Sequence, residues 1–268
     1  MQLGVREVTS LFPTPRPSSR FNLPSMSIHR FFLNPGEWSS ENPALGPEDS
    51  HHCADVLRLS VGDALTIFDG EGSVADAVLT EVHRKHCRVR IGERTITPPL
   101  RAAITLAQAV PKGKNMDLIL QKAVELGAST IVPLLTRRTV VRLDEDDSER
   151  KRERWQQIAL EACKQCGRNQ VPAVTAPCSL EEFLRQPREG LLLLASLQPG
   201  AVSIKQALAT GATHSIVTVL VGPEGDFTPE ESAAALAAGA IPVTLGPMIL
   251  RAETAALYCL SVLGHELF

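Results

Sequence analysis

Two loops rich in glycine and charged residues carry the strongest chemical signal in the sequence. The first is Gly222-Pro-Glu-Gly-Asp-Phe227, and the second is Gly246-Pro-Met-Ile-Leu-Arg-Ala-Glu-Thr254. Each follows an apolar stretch and precedes a segment that is predicted to be helical. Glycines let a ligand approach the backbone closely. Both loops also carry ionisable side chains, among them Glu224, Arg251 and Glu253.

Both loops are predicted to leave the carboxyl ends of adjacent buried strands. Thr228 as N-cap and Pro229 at the first helical position predict a helix directly after the first loop. In an open α/β sheet, ligands bind at this edge, particularly where the strand order reverses. Two such loops favour a small-molecule site between them. For either loop alone, the alternative is a tight Gly-Pro turn that binds nothing.

Three other patterns resemble ligand motifs but lack the context that those motifs need. The stretch 70–75 has the glycine spacing of a dinucleotide motif, but a strand follows it, so a hairpin turn is predicted. Lys112-Gly-Lys114 lacks the upstream glycine of a phosphate loop. Cys163 and Cys166 lack a second cysteine pair for zinc, so we expect both in the core. No metal site is predicted.

A cluster of basic residues lies near the end of the β-rich part of the chain. Its members are Arg84, Lys85, Arg88, Arg90 and Arg94, with Arg88 and Arg90 on the same face of one strand. Such a cluster could follow a phosphate backbone. The alternative is an edge strand whose charges discourage aggregation.

Two regions of the chain must position these residues. The first is predicted to be mostly β. Between Ser27 and Pro98, alternating runs predict strands at 64–68, 74–82 and 87–91, with one helix at 51–59. Several short strands in this space suggest a small barrel. The pair Pro98-Pro99 breaks any regular element, so we place the domain boundary there.

The second region alternates strands with helices. Strands are predicted at 104–110, 129–135, 191–195, 215–221 and 240–245, and helices at 114–126, 149–166 and 255–263. An acidic loop at 144–147 is expected to lead into the second of these helices. Apolar strands that alternate with amphipathic helices indicate an α/β fold with a parallel sheet covered on both faces.

The composition further limits the classes of protein and of partner that the chain can represent. The 268 residues are 44% hydrophobic and 21% charged, which indicates a globular protein and is long enough for two domains. No apolar stretch approaches the ~20 residues of a bilayer helix, so we expect no membrane association. With 27 basic and 30 acidic residues, no global positive field attracts a polyanion, and any contact with nucleic acid must use a local patch.

The compartment depends on the cysteines and on the first 25 residues. Six cysteines spread over the chain indicate a reducing compartment, and we expect a cytoplasmic protein. Residues 1–25 are rich in Pro, Ser and Arg and lack apolar periodicity, so they should not join the core. They are compatible with a disordered tail, an upstream start, or a transit peptide that would direct the protein to an organelle.

Several further motifs occur in an order and spacing that are specific to one family. They are Arg30-Phe-Phe, His51-His-Cys-Ala-Asp-Val-Leu-Arg58, Gln121-Lys-Ala-Val-Glu-Leu-Gly127 with Pro133 and Arg137, Glu161-Ala with Gln165 and Arg168, Gly222-Pro-Glu-Gly225, Leu245-Gly, and Ile249-Leu-Arg-Ala-Glu-Thr-Ala255. From Met26 to Phe268 the sequence resembles the ribosomal small-subunit methyltransferase E family. These enzymes methylate N3 of a uridine in small-subunit ribosomal RNA with S-adenosylmethionine.

The resemblance implies a two-domain architecture and a set of partners. It implies a PUA-like RNA-binding barrel at 26–98 and a SPOUT methyltransferase domain at 99–268, in which the chain forms a trefoil knot. The implied partners are small-subunit ribosomal RNA, within the assembled small subunit, and a second copy of the chain across the site. The family usually has glycine where this chain has Asp226. A positive φ there would be strained, although Asp tolerates it better than most residues.

The same resemblance implies site residues. For S-adenosylmethionine they come from both loops: Gly222, Pro223, Glu224, Gly225, Leu245, Gly246, Ile249, Leu250, Thr254 and Ala255. For RNA it adds four arginines to the basic residues Arg84, Lys85, Arg88 and Arg90, namely Arg30, Arg58, Arg137 and Arg168.

Arg251 is the first candidate for a catalytic residue. Uridine N3 must lose its proton before its lone pair attacks a methyl group, and a cation beside O2 or O4 would stabilise the resulting charge. Glu253 or Glu224 could accept the proton or orient the arginine. Alternatively, Glu253 only stabilises a helix N-terminus and Glu224 only binds turn amides.

Two functions of other classes stay open at this stage. The chain could be a non-catalytic RNA-binding factor with a vestigial nucleotide-like ligand site. The α/β domain could also bind a different nucleotide-like molecule. Binding of S-adenosylmethionine separates both cases from the methyltransferase.

Overall fold

The computed structural model describes residues 29–113, 115–139, 145–209 and 214–268. The expectations for residues 1–25 concern residues outside these ranges. In the described part of the chain, every helix is too short or too polar to cross a bilayer.

A five-stranded sheet occupies the first region. The predicted strands are confirmed to within one residue, and the hairpin turn at 70–75 is confirmed because the second and third strands pair antiparallel. The first strand was not predicted; it pairs parallel with the second. The strand order is β1-β2-β3-β4, with β5 on β3. The strands are β1 (Arg30–Phe32), β2 (Ala64–Phe68), β3 (Ser73–Glu81), β4 (Arg88–Ile91) and β5 (Thr95–Ile96).

The helix predicted at 51–59 is wrong at both ends. Helix α1 spans Pro47–His51 and continues through His52–Val56 as a wider turn. Pro47 is pre-organised for a first helical position, and this signal precedes the apolar pattern that the prediction used. Arg58 adopts a left-handed conformation with φ 54° and ends the element.

The second region forms an eight-stranded sheet in which every described pairing is parallel. The strand order is β11-β13-β10-β12-β6-β7-β8, with β9 on β7. The parallel α/β prediction is therefore confirmed, while the knot stays a prediction. The strands are β6 (Ala103–Ala109), β7 (Thr130–Leu135), β8 (Ala173–Val174), β9 (Cys178–Ser179), β10 (Leu191–Ala195), β11 (Val202–Ser203), β12 (Ile216–Val221) and β13 (Ile241–Thr244).

Helices cover both faces of this sheet, as predicted. The helices are α2 (Asn115–Glu125), α3 (Glu145–Cys166), α4 (Leu180–Arg185), α5 (Ile204–Leu208), α6 (Pro229–Ala237) and α7 (Ala252–Leu267). Alternate strand residues face opposite sides because successive side chains of a strand alternate. Val219 joins the core under α2, α3, α5 and α7, whereas Leu220 joins the core under α4 and α6.

Helix α3 corrects two expectations. Residues 145–147 form its first turn rather than a loop, and the carboxylates of Asp146 and Asp147 suit the positive end of the helix dipole. Cys163 is buried as expected, and burial raises the pKa of its thiol to about 12. Cys166 is exposed, so placing it in the core was wrong.

A buried ion pair joins the two regions. Lys164 Nζ on α3 lies 2.6 Å from Asp49 Oδ1 on α1, and the side chains are only 12% and 13% exposed. Burial alone would lower the pKa of Lys164, but the carboxylates of Asp49 and Glu161 outweigh it and raise that pKa. Arg30 Nη2 also donates to Asn169 Oδ1 at 2.6 Å. These contacts hold the first sheet against the second.

We expect Lys164→Met to destabilise the protein by about 3–5 kcal/mol, because it leaves the carboxylate of Asp49 buried without its partner. Urea unfolding at pH 7 measures the loss. Lys122→Met is the matched control, since the pair Lys122–Glu125 is far more exposed and should contribute under ~1 kcal/mol. Equal unfolding midpoints for the two variants would contradict the prediction.

Candidate active site

A cavity of about 320 Å³ opens at the carboxyl ends of β10, β12 and β13. Its volume lies within the ~300–1,000 Å³ that is usual for small-molecule sites. All the predicted cofactor residues except Thr254 line it. The full lining is Ala195, Ser196, Leu197, Val221, Gly222, Pro223, Glu224, Gly225, Asp226, Leu245, Gly246, Met248, Ile249, Leu250, Ala252 and Ala255.

The two predicted loops do not leave adjacent strands, because β10 lies between β12 and β13. That expectation was wrong. The intervening strand β10 gives the cavity a third wall. Ala195, Ser196 and Leu197 follow β10 directly and line the cavity. The sequence does hold a signal for this wall, since the apolar run 191–195 is followed by Ser-Leu-Gln-Pro-Gly.

The first loop is a tight turn that leaves little room for a side chain at Gly222. The Asp226 N–H donates to Pro223 O at 2.8 Å and closes the turn. A Cβ on Gly222 would lie 2.9 Å from Asp226 Oδ1 and 3.2 Å from Phe227 N. Asp226 has φ 61°, as its replacement of a family glycine suggested, and its Oδ1 accepts the Phe227 N–H at 2.8 Å.

The predicted start of α6 after this loop is confirmed. Thr228 is the N-cap, and its hydroxyl accepts the backbone N–H of Glu231. The Glu231 carboxylate in turn accepts the Thr228 N–H at 2.9 Å. This reciprocal pair satisfies two free donors at the helix end and fixes the direction in which the loop leaves.

The second loop presents apolar side chains to solvent at the mouth of the cavity. Met248 is 72% exposed and Ile249 is 82% exposed. Gly246 has φ 107°, a conformation that favours glycine. Thr254 lies on α7, is exposed and does not line the cavity.

The three charged candidates differ in how they are held. Glu224 lines the cavity, and its Oε1 accepts the Lys112 N–H at 2.9 Å. Glu253 is half-buried and accepts from Asn115 Nδ2 at 3.4 Å. Arg251 is the N-cap of α7, is exposed, and forms no ion pair with a described carboxylate. Its cation is therefore available to a ligand.

The basic cluster near β4 is partly neutralised by neighbouring acids. Arg84 pairs with Asp55 at 2.7 Å, and Arg88 pairs with Glu81 at 3.0 Å. Lys85 and Arg90 are exposed and have no ion pair with a described carboxylate. Most of the unpaired charge of this cluster therefore comes from Lys85 and Arg90.

Of the four other predicted RNA residues, two are engaged inside the protein. Arg168 Nη1 donates to Ala128 O at 2.6 Å, just beyond the end of α2, and burial lowers its pKa. Arg30 stacks over Phe68 at 5.0 Å, and burial lowers its pKa as well. Arg58 and Arg137 are exposed.

Comparisons with known proteins match both regions. A family model described as RNA methyltransferase domain matches residues 98–264. A second model, described as RNA methyltransferase PUA domain, matches residues 45–92. The two matches together cover most of the described chain.

Two curated relatives are named ribosomal RNA small subunit methyltransferase E. The Bacillus subtilis protein is 32% identical over 225 residues, which are 82% of this chain and 88% of the relative. The Synechocystis protein is 33% identical over 231 residues, which are 85% of this chain and 74% of the relative.

Solved structures agree with these relatives. The Neisseria gonorrhoeae ribosomal RNA small subunit methyltransferase E bound to S-adenosylmethionine has a TM-score of 0.80 and 34% identity, covering 88% of this chain and 97% of that one. A Legionella pneumophila methyltransferase in complex with the same cofactor has a TM-score of 0.82 and 34% identity, with the same coverage.

Proposed function

The chain belongs to the ribosomal RNA small subunit methyltransferase E family, and from this premise we propose that it methylates N3 of a uridine in small-subunit ribosomal RNA with S-adenosylmethionine. The observation that carries the proposal is the cavity at the carboxyl ends of β10, β12 and β13, which both glycine loops line. The relatives support the reaction class, and two solved relatives hold this cofactor.

The residues of the cavity fit S-adenosylmethionine. Leu197, Met248, Ile249 and Leu250 offer apolar surface to an adenine ring, and the loop backbones offer amide donors and carbonyl acceptors to its polar groups. Gly222 and Gly246 leave the backbone uncovered at two points of the wall. When bound, the cofactor supplies an electrophilic methyl group on a sulfonium.

The chain's own residues must stabilise the uridine once its N3 is deprotonated. We propose that Arg251 lies beside uridine O2 or O4 and stabilises the negative charge that develops when N3 loses its proton. Glu224 and Glu253 are the candidates to receive that proton or to orient Arg251. Each already accepts one hydrogen bond, from the Lys112 N–H and from Asn115 Nδ2 respectively, which orients its carboxylate.

Mass spectrometry of digested ribosomal RNA tests the proposal. Cells that lack the protein should lose one N3-methyluridine from small-subunit RNA, and expression of the wild-type chain should restore it. Purified protein should methylate assembled small subunits from the deficient cells, and free RNA less well, because we propose the assembled subunit as substrate. An unchanged N3-methyluridine signal in the deficient cells would contradict the function.

We further propose that residues 26–98 form the RNA-binding domain, that residues 99–268 form the catalytic domain, and that the protein works in the cytoplasm. Most buried apolar residues of the first sheet form a core of their own, which supports the division, and the two regions meet where Phe68 joins the core of the second sheet and at the contacts of Lys164 and Arg30. Fluorescence microscopy of the tagged full chain tests the location. Exclusive organelle fluorescence would contradict the cytoplasmic assignment.

We expect reversal of Arg88 and Arg90 to glutamate to weaken RNA binding most at low salt, because it removes two cations from the proposed phosphate-binding surface. Each lost phosphate contact should reduce the slope of log K against log salt by about 0.7–0.9. Arg90→Glu alone should have the larger effect, since Arg88 already pairs with Glu81.

A fluorescence titration with a ribosomal RNA fragment across a salt series measures this slope. The double variant Arg150→Glu/Arg152→Glu is the matched control, because it makes the same charge change on α3. Cofactor affinity should be unchanged in both double variants. Equal RNA affinity of the wild type and the Arg88/Arg90 variant at every salt concentration would contradict the prediction.

We propose that the enzyme works as a homodimer whose interface adjoins the cavity. Leu197, Met248, Ile249 and Tyr258 are large apolar side chains exposed around its mouth and on α7. Ile249→Glu should therefore shift the protein to a monomer in sedimentation velocity and lower its activity. A wild-type protein that is monomeric at micromolar concentration and fully active would refute the dimer.

A further inference from the structure

A four-residue turn after β7, formed by Thr136, Arg137, Arg138 and Thr139, lies against the first glycine loop. The Thr139 N–H donates to Thr136 O at 3.0 Å, and the Thr136 N–H donates to Thr139 Oγ1 at 3.0 Å. The two hydroxyls are 2.9 Å apart. Backbone and side chains together therefore hold this turn in one conformation.

The turn is also fixed to the start of α6. The Arg137 N–H donates to Glu231 Oε1 at 2.8 Å. Glu231 is the residue whose other oxygen closes the helix cap with Thr228. One carboxylate thus ties the turn after β7 to the helix that follows the glycine loop.

Arg138 completes the connection, because its Nη1 donates to the carbonyl oxygen of Gly225. Gly225 lines the cavity, and a Cβ placed on it would lie 3.1 Å from Arg138 Cδ. The neighbouring Glu224 is held from the other side by the Lys112 N–H at 2.9 Å. The carbonyl of the Gly225–Asp226 peptide and the side chain of Glu224 are therefore each held by a residue from outside the loop.

We propose that Arg138 is a positioning residue that holds the Gly222–Phe227 loop in the conformation that binds S-adenosylmethionine. This inference rests on the proposed function. A charge-assisted hydrogen bond to a backbone carbonyl is stronger than a neutral one. The bond acts on the cofactor through Gly225, and Arg138 itself does not line the cavity.

Calorimetry with S-adenosylmethionine on the full chain tests the proposal. Arg138→Ala should raise the dissociation constant about tenfold, as expected for loss of a hydrogen bond to a charged group. Arg138→Lys keeps the charge but not the planar fork, and should recover part of the affinity. The kcat at saturating cofactor and the melting temperature without cofactor should stay close to wild type, whereas a purely structural role would lower the melting temperature.

Arg137→Ala is the matched control for cofactor affinity. It removes the same charge from the same turn, but the contact of Arg137 with α6 is made by its backbone. It should change the dissociation constant by less than about twofold. An equal loss of cofactor affinity in both variants would overturn the proposal. The loss would then come from the removed positive charge and not from the hydrogen bond to Gly225.

A double-mutant cycle with Gly225→Ala gives an independent test. The added methyl should displace Arg138 and weaken cofactor binding, but it should cost little more once Arg138→Ala has removed the colliding atoms. Additive effects would overturn the proposal, as would wild-type affinity in Arg138→Ala. A wild-type chain that fails to bind S-adenosylmethionine would instead overturn the proposed function.

Discussion

Gly222→Val is expected to abolish binding of S-adenosylmethionine while the chain stays folded. Even a Cβ at this position would lie 2.9 Å from Asp226 Oδ1 and 3.2 Å from the Phe227 backbone nitrogen. The two γ-methyl groups of valine need more space than the Cβ alone, so we expect the turn to open and its backbone donors and acceptors to leave the wall of the cavity. We expect an affinity loss above about a hundredfold, since several contacts move together.

Calorimetry measures this loss, and far-ultraviolet circular dichroism checks the fold. Gly46→Val is a suitable control, because a Cβ on Gly46 meets nothing within 4 Å and the residue lies in the first region. That control should bind the cofactor like the wild type. Unchanged affinity in a folded Gly222→Val protein would remove the basis for placing the cofactor between these loops.

The first loop shows how much of a site the sequence can specify. Its strand, its turn and the start of its helix were all predictable, because Thr228, Pro229 and Glu231 act on the backbone within one turn of themselves. The left-handed conformation of Asp226 could also be anticipated from the family glycine that it replaces. Local chemistry determines these features.

The third wall of the cavity was not predicted, because strand order depends on pairings between segments far apart in the sequence. Periodicity identified β10, β12 and β13 separately, but nothing local indicates that β10 lies between the other two. The same reason explains Arg138, whose carbonyl partner is in Gly225, 87 positions further along the chain.

Charge in the sequence is similarly ambiguous until its partners are known. Arg168 looked like an RNA contact, yet its guanidinium donates to the carbonyls of Val124 and Ala128. Arg30 looked like one too, yet it contacts Asn169 and Phe68. We therefore leave both arginines out of the proposed RNA surface and give them the role of joining elements of the fold.

The largest effect on the chemical step is expected from Arg251→Met. If Arg251 stabilises the deprotonated uridine, this variant should lower kcat by about 10²–10³, the usual loss when one preorganised donor is removed. Cofactor affinity should change little, because Arg251 does not line the cavity. Raising the pH should not restore the rate, because deprotonation of N3 by solvent does not replace the lost positive charge of Arg251.

Glutamine variants of Glu224 and Glu253 separate charge stabilisation from proton removal. A glutamine carbonyl can still accept from the Lys112 N–H or from Asn115, so either variant should keep the local fold. If one of these carboxylates is the general base, its variant should regain activity as pH rises, because hydroxide increasingly deprotonates the imide. Flat pH profiles for both would exclude a carboxylate base. A fully active Arg251→Met enzyme would exclude a catalytic role for the guanidinium of Arg251. The rate enhancement would then come mainly from holding the methyl donor against N3.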